Sequence, residues 1–186
     1  MATKKTGLKR DTIDKFYTKS SVAGDCIQYV IMHIDIDPHN DIIIEPSAGN
    51  GSFIPELLKM SLNCYFFDIF PEHPIVIQQD YLAFNNKTDL EPQEENSKIH
   101  VIGCPPIGRQ SSTAIKFIHK SALFCDTISF ILPKSFKDDN IKTKLPLDFY
   151  LLDFYLVHQC DLEPNSFIKN NKEYLLETIF QIWKRK

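Results

Sequence analysis

The chain has 186 residues, 43% hydrophobic and 24% charged, with a formal net charge of −3. That is enough for one globular domain with a sizeable core and too little for two, and no global basic field announces nucleic acid. No apolar run approaches the ~20 residues that span a bilayer, and the N-terminal residues carry no signal-peptide core.

The five cysteines (26, 64, 104, 125 and 160) are odd in number, widely spaced and never form CxxC. That pattern points to a reducing, intracellular compartment, cytoplasmic or nuclear, and away from zinc. The six histidines are scattered without ligand spacing, so no metal is expected.

Residues 1–12 read as a flexible basic arm, with Lys4, Lys5, Lys9 and Arg10, and residues 13–186 as a single domain. If the arm met the C-terminal Lys184, Arg185 and Lys186, the ends would form a basic rim for phosphates. Solvated ends are the simpler reading of such charge runs. Apolar residues at 22, 23, 26, 27, 30, 31 and 34 predict a helix over 20–34 with a serine N-cap. "DIIIEP" (41–46) is a short continuous apolar run, as in a strand buried on both faces of a parallel sheet. "SAGNGS" turns, and "FIPELLKMS" continues as a helix.

Strands are predicted over 63–69 and, shorter, over 73–80. The polar, acidic stretch 85–97 reads as a mobile loop without apolar anchors. A strand over 98–103, a serine-capped helix over 111–125 and a strand over 126–133 follow, then a charged loop from Phe136. Two final strand runs, 154–162 and 174–185, are joined by a segment with hairpin chemistry at Asn170 and Asn171. Strand–helix alternation ending in an antiparallel strand pair predicts an α/β fold, a mostly parallel sheet with helices on both faces.

The chemistry concentrates at strand ends. "EPSAGNGSF" (45–53) follows a strand and opens a helix; Gly49 and Gly51 permit a sharp turn and a close approach to a ligand. No Gly-Lys-Ser/Thr follows, so the turn is not a P-loop. Asp68 lies about 20 residues on, where a carboxylate binds ribose hydroxyls, and Asp80 closes the next strand, where it suits an adenine amino group.

With these features the chain resembles the S-adenosylmethionine-dependent methyltransferases that modify the N6 amino group of adenine in DNA or RNA. The likeness runs from "DKFYTKSSVAGDCI" (14–27) to "FQIW" (180–183). It implies a Rossmann-like class I methyltransferase fold with a seven-stranded sheet, and S-adenosylmethionine as cofactor. It also implies that Phe16, Tyr17 and Thr18 fold over the methionine end, and that Glu45, Pro46, Gly49 and Gly51 form the acidic-Pro-x-x-Gly-x-Gly turn. Asp68 with Ile69, and Asp80 with Tyr81, complete the implied cofactor set.

The catalytic half departs from the family. There the fourth strand ends in Asn-Pro-Pro-Phe or -Tyr; here it reads Gly103-Cys104-Pro105-Pro106-Ile107. The Asn oxygen and the first Pro carbonyl accept the two amine hydrogens, which makes the nitrogen nucleophilic, and the aromatic ring stacks on the flipped base. Cys104 is a poor acceptor and Ile107 has no π system. Pro105 keeps its carbonyl, and Pro106 keeps the loop stiff.

Arg109 and Lys134, in loops after the fourth and fifth strands, are placed to bind phosphate of a nucleic acid, with solvated surface cations as the plainer reading. Three readings stay open: a methyltransferase on nucleic-acid adenine with an atypical, weakened loop; a catalytically silent cofactor- or RNA-binding partner subunit; and a methyltransferase on a nitrogen other than adenine N6. With no segment left for target recognition, selectivity calls for a protein partner, a feature of the RNA, or the N-terminal arm.

Overall fold

The computed structural model describes residues 16–86, 88–90, 94, 96–108, 111–137 and 154–186. The N-terminal arm, Arg109 and most of the charged loop after Phe136 lie outside them. In chain order the elements are β1 (Tyr17–Thr18), α1 (Ser20–His33), β2 (Ile42–Glu45), α2 (Ile54–Met60), β3 (Asn63–Asp68), β4 (Ile77–Gln78) and β5 (Ile99–Gly103). Then follow α3 (Ser112–Ala122), β6 (Thr127–Pro133), a 3-10 turn (Lys134–Lys137), β7 (Phe154–Asp161), β8 (Phe167–Lys169), β9 (Lys172–Tyr174) and β10 (Thr178–Arg185).

Seven strands form one sheet in the order β4-β3-β2-β5-β6-β10-β7. The first five are parallel, and β10 pairs antiparallel with both β6 and β7. β2 is central because its side chains have no polar face to offer: Ile42, Ile43 and Ile44 are all buried. With a side-chain period of two, Ile42 and Ile44 enter the layer that packs α3, with Val101, Ile128 and Phe130. Ile43 enters the opposite layer with Ile27 and Val30 of α1 and Leu57 of α2. Chain order reverses between β2 and β5, so a crevice opens at the carboxyl ends of those two strands.

A second sheet of three strands, in the order β1-β8-β9, was not foreseen. The hairpin chemistry at Asn170 and Asn171 is real: both have positive φ, 51° and 60°, as a type I′ turn requires. That hairpin joins β8 to β9, and β1 adds to its free edge, Tyr17 opposite Ile168 and Thr18 opposite Phe167.

Two local expectations are corrected. α1 starts from Lys19 with no side-chain cap, and Ser111, at φ 62°, makes no cap bond to α3. The left-handed backbone at Ser111 turns its hydroxyl away from the amides a cap must reach. The basic rim expected where the two chain ends meet involves residues 1–12, which lie outside the described residues. β10 runs antiparallel, so Lys184 lies level with Thr127 at the start of β6. There Arg185 donates to the carbonyls of Ala122 and Cys125 at the end of α3, and stacks over Phe154.

The 85–97 stretch does have an apolar anchor: Leu90 is buried in the α3-side core. Asn85 and Asp89 clasp the turn before it, the Asn85 amide donating to the Asp89 carboxylate at 2.8 Å. Leu90→Ala is therefore expected to cost about 2–3 kcal/mol, the lower part of the range for truncating a buried leucine. A urea titration checks this; an unchanged midpoint would mean that the loop carries no packing.

Candidate functional site

Glu45, Asp68 and Gly103 all stand at carboxyl ends of parallel strands, so one edge of the sheet gathers them. Glu45 is 2% exposed, and its Oε2 is buried with no hydrogen-bond partner among the described residues. Burial, and then the nearby Asp68 charge, push its carboxyl up to about 8. Gly103 makes the room: a Cβ there would lie 3.1 Å from Glu45 Cγ.

Asp68 is half-buried and holds the glycine turn. Its Oδ2 accepts the Gly49 amide and its Oδ1 the Phe70 amide, each at 2.8 Å. Each oxygen keeps a second lone pair for a ligand. Asp80 is exposed and accepts the Leu82 amide at 2.9 Å. Ile69 is also exposed, on the outer side of the same loop.

Tyr81, implied as a cofactor neighbour, faces the other way. Its ring is 1% exposed, packs against Phe84 and Phe117, and its hydroxyl pairs with Ser121 at 2.8 Å. It belongs to the core under α3, so only its backbone is near Asp80.

The Phe16-Tyr17-Thr18 segment splits across two faces, as successive strand residues must. Tyr17 lies on the glycine turn, its ring 3.4 Å from where a Gly49 Cβ would stand. Its hydroxyl donates to Glu72 Oε2 at 2.6 Å. Burial and the acceptor Glu72, then the charges of Glu72 and Asp68, hold the phenol well above its ordinary value. Thr18 is buried on the opposite face, on the side of the Cys104 thiol. Phe16 shares that face and packs against Tyr174, so it stands away from the glycine turn.

The space opened at Gly51 (φ +86°) serves the protein itself. A Cβ there would meet His73 Cδ2 and Ile54 Cδ1, each at 2.9 Å. This corrects the expectation that Gly51 leaves its missing side chain to a ligand. Spacing gave no signal for His73 or Glu72, which reach the turn only because β3 runs alongside β2.

Ser47 was also missed. Its hydroxyl donates to the Cys104 carbonyl at 2.9 Å and ties the glycine turn to the Pro-Pro loop. Cys104 keeps part of its surface accessible, but its sulfur is enclosed. Burial pushes the thiol up to about 12, the Thr18 hydrogen bond offsetting part of this and the Glu45 charge adding to it. At neutral pH it is a protonated, weak donor and neither a nucleophile nor a good acceptor. Pro105 is buried, with no described residue donating to its carbonyl, while Pro106 is exposed and Ile107 half-buried.

Lys134 follows β6 at this same edge, with its ammonium 3.6 Å from Glu177. A cleft of about 640 Å³, lined by Asp35, Asp37, Asn40 and Asp41 among others, opens at the opposite edge. It precedes β2, far from the strand ends that gather the site. No group of three or more His, Cys, Asp or Glu that could hold a metal occurs among the described residues. Nor is any helix there long and apolar enough to cross a membrane.

The architecture has solved counterparts. It is similar to a candidate RNA methyltransferase of Pyrococcus horikoshii, with TM-score 0.67 and 15% identity over 97% of this chain and 92% of that one. The fold is the class I methyltransferase fold. Magnesium protoporphyrin IX methyltransferase of Synechocystis PCC 6803, solved with bound S-adenosylmethionine, also matches: TM-score 0.58, 15% identity, 90% and 79% covered. A modification subunit of a candidate type I restriction enzyme from Vibrio vulnificus YJ016 matches at TM-score 0.61 and 14% identity. That match covers 95% of this chain but only 46% of the subunit. No protein-family model matches the chain, and no curated protein is significantly similar to it in sequence.

The raised Glu45 carboxyl has a consequence for stability. Between its ordinary value of 4.5 and its folded value of about 8, the unfolded chain is ionised while the folded protein stays protonated. Glu45 therefore costs stability as pH rises through that window. Glu45→Gln removes the titration. Its unfolding free energy, measured by urea titration, is expected to match the wild type near pH 5 and to exceed it at pH 8 by on the order of a few kcal/mol. A gap that does not widen with pH would mean that the carboxylate is ionised and partnered in the free protein.

Proposed function

We propose that the protein is an S-adenosylmethionine-dependent N-methyltransferase acting on an adenine amino group of single-stranded nucleic acid, through a loop with weakened catalytic groups. One observation carries the cofactor half: the buried, unpartnered Glu45 Oε2 at the switch point of the sheet. An uncompensated buried carboxyl calls for a cationic ligand group, and the α-ammonium of the cofactor has the right charge. The class I fold supports the same reading.

On this reading Glu45 binds the ammonium and gives up its proton as it does so. The Pro46–Gly51 turn receives the methionine portion, with Tyr17 closing over it from β1. Asp68 has two lone pairs for the ribose hydroxyls, and Asp80 and Ile69 flank the adenine. When bound, the cofactor supplies a sulfonium-activated methyl group. The chain's own task is to make the target nitrogen nucleophilic. Pro105 contributes a carbonyl that can accept one amine hydrogen, and Ile107 an apolar contact to the base face. Pro106 and the Ser47 bond hold that loop in place.

A second reading, a silent cofactor-binding member of the fold, is favoured by Cys104. The thiol stands where the family's Asn accepts the second amine hydrogen, and it is enclosed and protonated. Losing one positioned catalytic hydrogen bond costs roughly 10²–10³ in rate, and losing a base stack about 1–3 kcal/mol.

Calorimetry with S-adenosylmethionine tests what the two readings share: micromolar binding is expected, and none at millimolar ligand would remove both. Methyl transfer to adenine-containing single strands then separates them. Cys104→Asn with Ile107→Phe is expected to raise the rate by at least about 10³, more than either change alone, because both act on one bound base. A double variant that binds cofactor yet stays inert on RNA and DNA would refute adenine as the target.

A further inference from the structure

The proposed function brings a cation to Glu45, and the surroundings of that carboxyl decide what happens to its proton. Glu45 is 2% exposed, and no described residue donates to its Oε2. A Cβ on Gly103 would lie 3.1 Å from Glu45 Cγ and 3.7 Å from its Oε1, so the glycine keeps a gap along the carboxyl where a donor side chain could have stood.

The titratable groups that face Glu45 are Cys64 and Asp68, near the start and at the end of β3, and Cys104, in the loop after β5. None of them is a cation. The two thiols are themselves pushed up by burial, with the Glu45 charge adding to it, Cys64 to about 11 and Cys104 to about 12. An ionised Glu45 would therefore face protonated thiols, a second carboxylate and no donor to its Oε2. Burial first, and then the Asp68 charge, keep the proton on it up to about 8.

Beside an ammonium group the balance reverses. Glu45 would gain an opposite charge and N–H donors at once, and a carboxylate paired in that way stays ionised to lower pH than a bare one. Its proton then has to leave for solvent, because the ammonium already carries its own. We propose that the site captures its cofactor by exchanging the Glu45 proton for the ligand's α-ammonium, so that occupancy is regulated by pH across the neutral range. The proposal rests on the reading of the cofactor half given above and adds the regulation of that site.

The exchange balances as one proton: a neutral acid and an ammonium become a carboxylate–ammonium pair, and H⁺ passes to the buffer. An α-amino group ordinarily titrates at about 7.7–8.0. Above that range the ligand arrives neutral and net release vanishes. Affinity is expected to climb from pH 6, to peak at about pH 8 and to fall beyond it.

The test is calorimetric titration of the full chain in buffers of different ionisation enthalpy, which counts the protons released on binding. S-adenosylmethionine and S-adenosylhomocysteine carry the α-ammonium; 5′-methylthioadenosine keeps the nucleoside and the sulfur but has no amino-acid tail. At pH 7 the first two are expected to release about 0.8 proton each, and to bind roughly 8-fold more tightly than at pH 6. Methylthioadenosine is expected to release none and to bind equally at both. Glu45→Gln keeps the shape and cannot titrate, so it is expected to abolish the release and flatten the pH dependence for the tailed ligands.

Binding of S-adenosylmethionine without proton release, or a pH dependence that survives Glu45→Gln, would overturn the exchange and leave the methyltransferase reading standing. Equal release with methylthioadenosine would overturn it as well, by assigning the proton to the nucleoside end. A wild type that binds none of the three ligands would sink the underlying reading together with the exchange.

Discussion

A carboxyl group taken out of water without a partner is the constraint around which this edge of the sheet is arranged. Glu45 is buried because β2 is: three consecutive isoleucines need apolar cover on both faces, and the strand delivers its next residue to the same depth. Gly103 on the neighbouring strand leaves space for it, and Asp68 on the other side repels its ionised form. In the free protein that burial keeps the carboxyl protonated at neutral pH, and a cation beside it would favour its ionised form. Burial of this kind belongs at a functional site, because elsewhere an apolar residue would be more stable at no loss.

The same edge shows why some residues were legible in the sequence and others were not. β2, β5 and β6 are continuous apolar runs whose type follows from burial on both faces, and the acids that end β2 and β3 were visible beside them. The exposed Asp80 and buried Tyr81 are adjacent, so one peptide unit divides the exposed side from the core. The resemblance implied both beside the cofactor because a sequence motif carries no information about which way a side chain points. Ser47, Glu72 and His73 were illegible for a related reason. Each reaches the glycine turn or the Pro-Pro loop across a gap set by strand pairing, and nothing in local spacing reports a contact between distant segments. Helix caps failed on geometry: a serine in the right place caps only if its backbone lets the hydroxyl reach the amides.

The three-stranded sheet connects these sites physically. β1 is only two residues long and would not persist alone; pairing with β8 fixes it, and the antiparallel pleat then sends consecutive side chains to opposite tasks. Tyr17 goes to the glycine turn and its bond with Glu72, while Thr18 goes to the Cys104 thiol. One short strand thus touches both the turn that would hold the cofactor and the loop that would hold the acceptor. A change in the β8-β9 hairpin would be felt at both, without a side chain of that hairpin entering either.

The Pro-Pro loop differs from a working adenine loop in its side chains and keeps its scaffold. The Ser47 bond to the Cys104 carbonyl, the buried Pro105 and the stiff Pro106 are all in place. On the proposed reading these backbone features would set where a target nitrogen sits, so Cys104 and Ile107 would weaken the contacts made to it without moving it. An enclosed thiol is tolerated there because it is small and apolar enough to desolvate cheaply. An asparagine at the same position would need partners for both its oxygen and its amide. On the proposed reading Cys104 gives up acceptor strength at the target nitrogen, while Glu45 keeps a buried oxygen without a described partner for a cationic ligand.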